Sequence, residues 1–162
     1  MKNRMVATML LLAACVIGMA QVPTVEWDEH SLIIDGRRVM PVMGEVHYSR
    51  IPDEEWPAEV RKMREGGVTM LACYVFWNHV EETEGVFRWD GQRNLRRFLE
   101  VCDEADMPVV LRVGPFCHGE VRNGGIPDWV FTKGCKVRRE DSLFLHYTTI
   151  LYRQIFTQAQ GL

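Results

Sequence analysis

The sequence predicts an α/β fold built on a parallel sheet, on three observations. Runs rich in β-branched and aromatic residues alternate with stretches whose apolar residues recur at helical spacing. The strand-like runs are apolar almost throughout, which fits strands covered on both faces. Polar and aromatic residues gather just after each run, at the C-terminal strand ends where α/β enzymes place their sites.

The first twenty residues read as an export signal. Lys2 and Arg4 form a basic start, residues 5–17 are apolar but short for a bilayer span, and Gly18-Met19-Ala20 offers small residues for cleavage. Leu12-Ala13-Ala14-Cys15 is also the pattern of a bacterial lipoprotein box, with Cys15 as lipid acceptor. The expectation is therefore a signal peptide at 1–20 and one domain at 21–162, reaching the periplasm, the exterior or the outer membrane.

Residues 25–34 alternate weakly and meet Asp35-Gly36, a turn dipeptide, before 37–41 resumes an extended pattern, so a hairpin leads into the domain. A first strand is expected at 40–47. A helix follows over 53–65, started by Pro52 and Asp53, with Trp56, Val60 and Met63 at helical spacing and Gly66-Gly67 at its end. The second strand is expected at 68–77, buried on both faces. Leu95, Phe98, Leu99 and Cys102 stripe a second helix over 94–105. A third buried strand at 108–113 precedes a third helix at 143–156.

Strand–helix alternation of this kind makes right-handed parallel crossovers. A doubly wound nucleotide binder needs a glycine-rich turn after its first strand. Here that place holds Gly44-Glu45-Val46-His47-Tyr48, with no phosphate cradle. The expected architecture is a (β/α)8 TIM barrel, truncated to its first three βα units, because such a barrel takes about 250 residues and the chain has 162.

Composition narrows the partners. Hydrophobic residues make up 47% and charged residues 25%, ordinary for a globular domain. The formal charge is −3, and without Lys2 and Arg4 it becomes −5, with 17 basic against 22 acidic residues. Bases and acids are interleaved, so no nucleic-acid footprint is present. Cys73, Cys102, Cys117 and Cys135 fit no zinc spacing. Cys73 and Cys102 read as buried thiols, and Cys117 and Cys135, flanking the loop at Glu120, as the better disulfide pair. No metal or organic cofactor is implied, and the oligomeric state is not legible.

Three groups converge on the expected barrel mouth: Glu45, His47 and Tyr48; Tyr74, Trp77, Asn78 and, slightly later, Glu81 and Glu82; and Arg112, Gly114, His118, Glu120, Asn123 and Trp129. Carboxylates and amides can bind vicinal hydroxyls, and an indole face such as that of Trp129 can cover a pyranose ring. Each has a plainer role to weigh against this. Glu45 and His47 can anchor the barrel, Arg112 can balance buried acids, Tyr74 and Trp77 can be core, and Glu81, Glu82 and Glu84 can form a solvated loop face.

Gly44-Glu45-Val46-His47-Tyr48-Ser49-Arg50, Trp56-Pro57, Tyr74-Val75-Phe76-Trp77-Asn78, Gly114-Pro115-Phe116, Gly119-Glu120 and Gly124-Gly125-Ile126-Pro127-Asp128-Trp129 occur in an order that resembles the N-terminal part of glycoside hydrolase family 35. The resemblance runs from Val25 to Leu162. It implies a retaining exo-β-galactosidase barrel, with Tyr74 contacting galactose, Glu120 binding sugar hydroxyls and the Gly119 backbone lining the subsite. Glu45, Trp77 and Asn78 complete the candidate substrate-binding set. The family's Cys-Ala-Glu-Trp motif has His118 for its cysteine and Val121 for its tryptophan here, and Glu45 replaces a serine. By the same resemblance both catalytic glutamates lie beyond Leu162, so this chain is expected to be inactive alone. A non-catalytic carbohydrate-binding remnant and another barrel glycosidase, of β-mannanase or cellulase type, are the alternatives.

Overall fold

A computed structural model describes residues 24–162. The export signal and the Cys15 lipid site lie outside the described residues. The described residues fall into two compact units, divided between Met40 and Pro41.

The described part of the first unit is an antiparallel meander of β1 (Val25–Trp27), β2 (Leu32–Ile34) and β3 (Arg37–Val39). The extended run expected over 25–34 is broken because Asp28 captures backbone donors, accepting from the N–H groups of His30 (2.9 Å) and Ser31 (3.0 Å). Arg38 grips the same carboxylate through both terminal nitrogens, and this holds the Asp28 carboxyl well below the usual range. The Asp35-Gly36 turn appears as expected, with both residues at positive φ.

The second unit carries a parallel sheet of β4 (Met43–Glu45), β5 (Met70–Tyr74) and β6 (Val109–Arg112), in sequence order. Helix α1 (Trp56–Glu65) joins β4 to β5, α3 (Leu95–Glu104) joins β5 to β6, and α5 (Ser142–Ala159) follows β6. Pro57 opens α1, where a missing N–H costs nothing. The Asn94 side chain caps α3 by accepting from the N–H of Arg97, and Asp141 caps α5 through Leu143 and Phe144. Two short helices, α2 (Trp77–Val80) and α4 (Asp128–Thr132), were not anticipated. Among the described residues no helix is long and apolar enough to cross a membrane.

Strand parity organises the unit. Leu71, Cys73 and Val75 face the helices and join Trp56, Val60, Phe98, Cys102, Leu151 and Ile155 in the main core. Tyr74 and Phe76 face the other way and pack with Cys117 in a second cluster. Tyr48 stacks on Phe98 at 5.0 Å, and the Trp56 ring edge meets both. Gly44 permits close packing of α1 on β4, since a Cβ there would come within 2.6 Å of the Met63 side chain and 3.1 Å of Val68.

Two strand expectations are corrected. Strand β5 ends at Tyr74, and residues 77–80 turn into a helix. Burial on both faces holds for β5 alone. Met43 on β4 and Val110 on β6 are 51% and 41% exposed, because their register places them on the Tyr74 face of the sheet, away from the covering helices.

Candidate active site

The C-terminal ends of β4, β5 and β6 and the loop after β6 build one polar and aromatic cluster. Tyr74 and Arg112 are register partners on adjacent strands. The Arg112 guanidinium lies 4.1 Å over the Tyr74 ring and pairs with the Glu45 carboxylate at 2.5 Å. Tyr74 is therefore largely covered, at 6% exposure. Glu45 also approaches His47, with Oε1 3.6 Å from Nε2.

Phe76 is the centre of the cluster. The His47 and His79 rings lie 5.1 Å from it, and the Arg50 guanidinium sits 4.7 Å over its face. A Cβ on Gly119 would come within 2.9 Å of the Phe76 ring and 3.2 Å of His47 Nε2, so only glycine lets the backbone pass here. Glu120 follows with φ at +47° and an exposed side chain. Burial pushes the His47 imidazole below its ordinary value, helped by the Arg50 charge and opposed by Glu45 and Glu120. His47 Nδ1 is buried with no hydrogen-bond partner among the described residues.

The structure thus brings Glu45, Tyr74, Gly119 and Glu120 together around His47 and Phe76. Trp77 is corrected. It is fully buried, its indole N–H donates to Glu81 Oε2 at 2.6 Å, and its ring packs against Trp129 and Phe144. No face is left for a sugar. Trp129 is corrected in part: it is half-buried, meets Trp77 and Tyr147 edge-on and donates to the Glu81 carbonyl at 3.1 Å. Asn78 lies half-buried on α2, with Oδ1 buried and unbonded among the described residues.

Glu81 is not on a solvated loop face. It is 3% exposed and accepts from Trp77 and from the Gly85 N–H at 2.8 Å, while burial raises its carboxyl above the ordinary value. The Cys117–Cys135 disulfide is also corrected. All four described cysteines are free thiols, with Cys117 donating to the Val75 carbonyl and Cys135 to that of Val130. Among the described residues no group of His, Cys, Asp and Glu is placed to hold a metal ion.

Sequence reasoning missed Arg50 and Phe76. Phe76 was reachable by parity, being two residues past Tyr74 on one strand face. Arg50 had no such signal, because its partners are backbone carbonyls 69 and 70 residues away.

Parallel strands that deliver acids, arginines and rings to one end are the arrangement of an α/β fold with its polar cluster at the C-terminal strand ends. The chain belongs to glycosyl hydrolases family 35, whose profile matches residues 31–162. It is similar to Beta-galactosidase 11 of Oryza sativa subsp. japonica, 39% identical over 106 residues, covering 65% of this chain and 12% of the relative. Beta-galactosidase 11 of Arabidopsis thaliana is 36% identical over 132 residues, covering 81% of this chain and 16% of the relative. Probable beta-galactosidase 2 of Dictyostelium discoideum is 35% identical over 111 residues, or 68% and 15%. The chain thus spans 12–16% of the length of these relatives.

Proposed function

We propose that this chain forms the galactose-recognition wall of a retaining exo-β-galactosidase on a (β/α)8 barrel, with β4, β5 and β6 as consecutive barrel strands. The observation that carries this reading is the convergence of Tyr74, from the end of β5, and the Gly119-Glu120 loop, from beyond β6, on the same His47–Phe76 pair. Glu120 accepts sugar hydroxyl protons, the Gly119 backbone lines the pocket, and Tyr74 contacts the ring edge. Cleavage by the retaining route needs two carboxyl groups about 5–5.5 Å apart. In this reading that pair is not among residues 24–162, so the chain binds and orients without cleaving. Support comes from the family match and from relatives named as β-galactosidases.

The test is an assay of the purified chain on a chromogenic β-galactoside, with galactose titration alongside. Saturable galactose binding that weakens in Glu120→Gln, without turnover, is expected. Turnover that disappears in both Glu120→Gln and Glu45→Gln would overturn the division of roles. The same reading has the chain exported, through cleavage after Ala20 or lipidation at Cys15. A mature N-terminus at Gln21 would support the first, and a lipid-modified Cys15 the second.

A further inference from the structure

The geometry points to Arg50 as the positioning residue that fixes the backbone of Glu120 and so aims its carboxylate, an inference that rests on the galactose-recognition reading. Arg50 belongs to the 3-10 turn Tyr48–Arg50 that follows β4. One terminal guanidinium nitrogen donates to the carbonyl of Gly119 at 2.5 Å and to that of Glu120 at 3.2 Å. The guanidinium carbon lies over the Phe76 ring, 4.7 Å from its centre. A cationic donor makes stronger bonds to carbonyls than a neutral one, and its charge over a ring face is attracted to the π cloud.

The segment it grips needs such a grip. Glu120 has φ at +47°, a region non-glycine residues seldom occupy unless their surroundings impose it. Gly119 is wedged against Phe76 and His47, with no room for a side chain. The backbone is thus held from below by the Phe76 ring and from the side by Arg50. If φ at Glu120 relaxed to negative values, its side chain would swing away from the His47–Phe76 pair and the two carbonyls would leave the guanidinium. The loop after β4 therefore sets the direction of a group on the loop after β6. Arg50 is itself exposed, so replacing it removes the grip while leaving the apolar core untouched.

The experiment compares the isotopically labelled 162-residue chain with its Arg50→Met, Arg50→Lys and Gly119→Ala variants. The intraresidue Hα–HN NOE of Glu120 reports the sign of φ and is strong when φ is positive, and galactose titration is run on each sample. In wild type the NOE is expected to be strong. In Arg50→Met it weakens, and the galactose Kd rises roughly tenfold, the change equivalent to losing one net hydrogen bond to a charged donor. Arg50→Lys, which keeps a cation, recovers part of both signals. Gly119→Ala, with Arg50 intact, weakens both. A strong Glu120 NOE in Arg50→Met overturns the proposal, as does a lost NOE with unchanged galactose affinity. Should wild type bind no galactose, the recognition reading falls, and the NOE comparison still judges the Arg50 grip.

Discussion

Arg112 covers Tyr74: the guanidinium carbon stands 4.1 Å from the ring centre, on the partner position of the adjacent strand. Its charge is already met by Glu45, whose carboxylate stands where the family resemblance puts a serine. The mouth is thereby close to neutral and suits an uncharged hexose. Glu45→Ser should leave Arg112 donors open to a carboxylate and shift preference from galactose toward galacturonate. The pair is more than a third exposed on both sides. The shift should therefore reach at most about fivefold, as partly exposed ion pairs are worth ~0.2–1 kcal/mol. Calorimetric titration of both sugars measures it, and an unchanged ratio refutes the role.

Glu81 ties α2 to the loop that follows, through the Trp77 indole and the Gly85 amide. Glu81→Ala strands two donors, one of them the fully buried indole, and should cost about 1–3 kcal/mol. Burial raises the folded-state pKa of Glu81 above its unfolded value, so the folded chain holds this proton more tightly. The Glu81 contribution to stability therefore grows as pH falls through the raised pKa and is complete below the ordinary carboxylate value. Denaturant titrations of wild type and Glu81→Gln across that window should differ in slope, with the wild type gaining more on acidification.

His79 works in the opposite sense. Its Nδ1 lies 2.9 Å from the buried Ser49 hydroxyl, and burial, with Arg50 and Arg93 nearby, depresses its pKa. The unfolded chain takes up the proton first, so stability falls as pH drops below about 6.5. His79→Gln should flatten that loss only in part, because His47 is depressed as well. Thermal melts between neutral and mildly acidic pH provide the comparison, and identical profiles for the two chains would refute the assignment.

The described thiols should react unequally. Cys73, Cys102 and Cys117 are buried, and burial pushes Cys102 and Cys117 up to about 12 and Cys73 higher still. Half-buried Cys135 is the accessible one. Peptide mapping after brief alkylation of the folded chain should find label at Cys135 and little at the other three. A Cys117–Cys135 linked peptide under non-reducing conditions would contradict the free-thiol structure.

The elements with strong periodicity were legible: α1 falls where Trp56, Val60 and Met63 recur at helical spacing, α3 where Leu95, Phe98, Leu99 and Cys102 do, α5 over the apolar stripe that holds Phe144, Leu151 and Ile155, and β5 where apolar residues run without a break. The short helices α2 and α4 were not, since four or five residues give less than two turns of pattern. Glu45, Tyr74 and Glu120 could be assigned to one end of the sheet because strand ends converge. Trp77, Trp129 and Glu81 defeated the reading for one shared reason. Indole N–H groups and a glutamate look like surface chemistry in a sequence, yet here the Trp77 indole donates to the Glu81 carboxylate and the Trp129 indole to the Glu81 backbone carbonyl.

In the parallel sheet, neighbours in space are also neighbours in sequence. Each strand docks on the edge left by the one before it, and none waits for a distant partner. Such a layout suits vectorial assembly, with the β4–α1–β5 unit packing while later residues are still emerging from the ribosome.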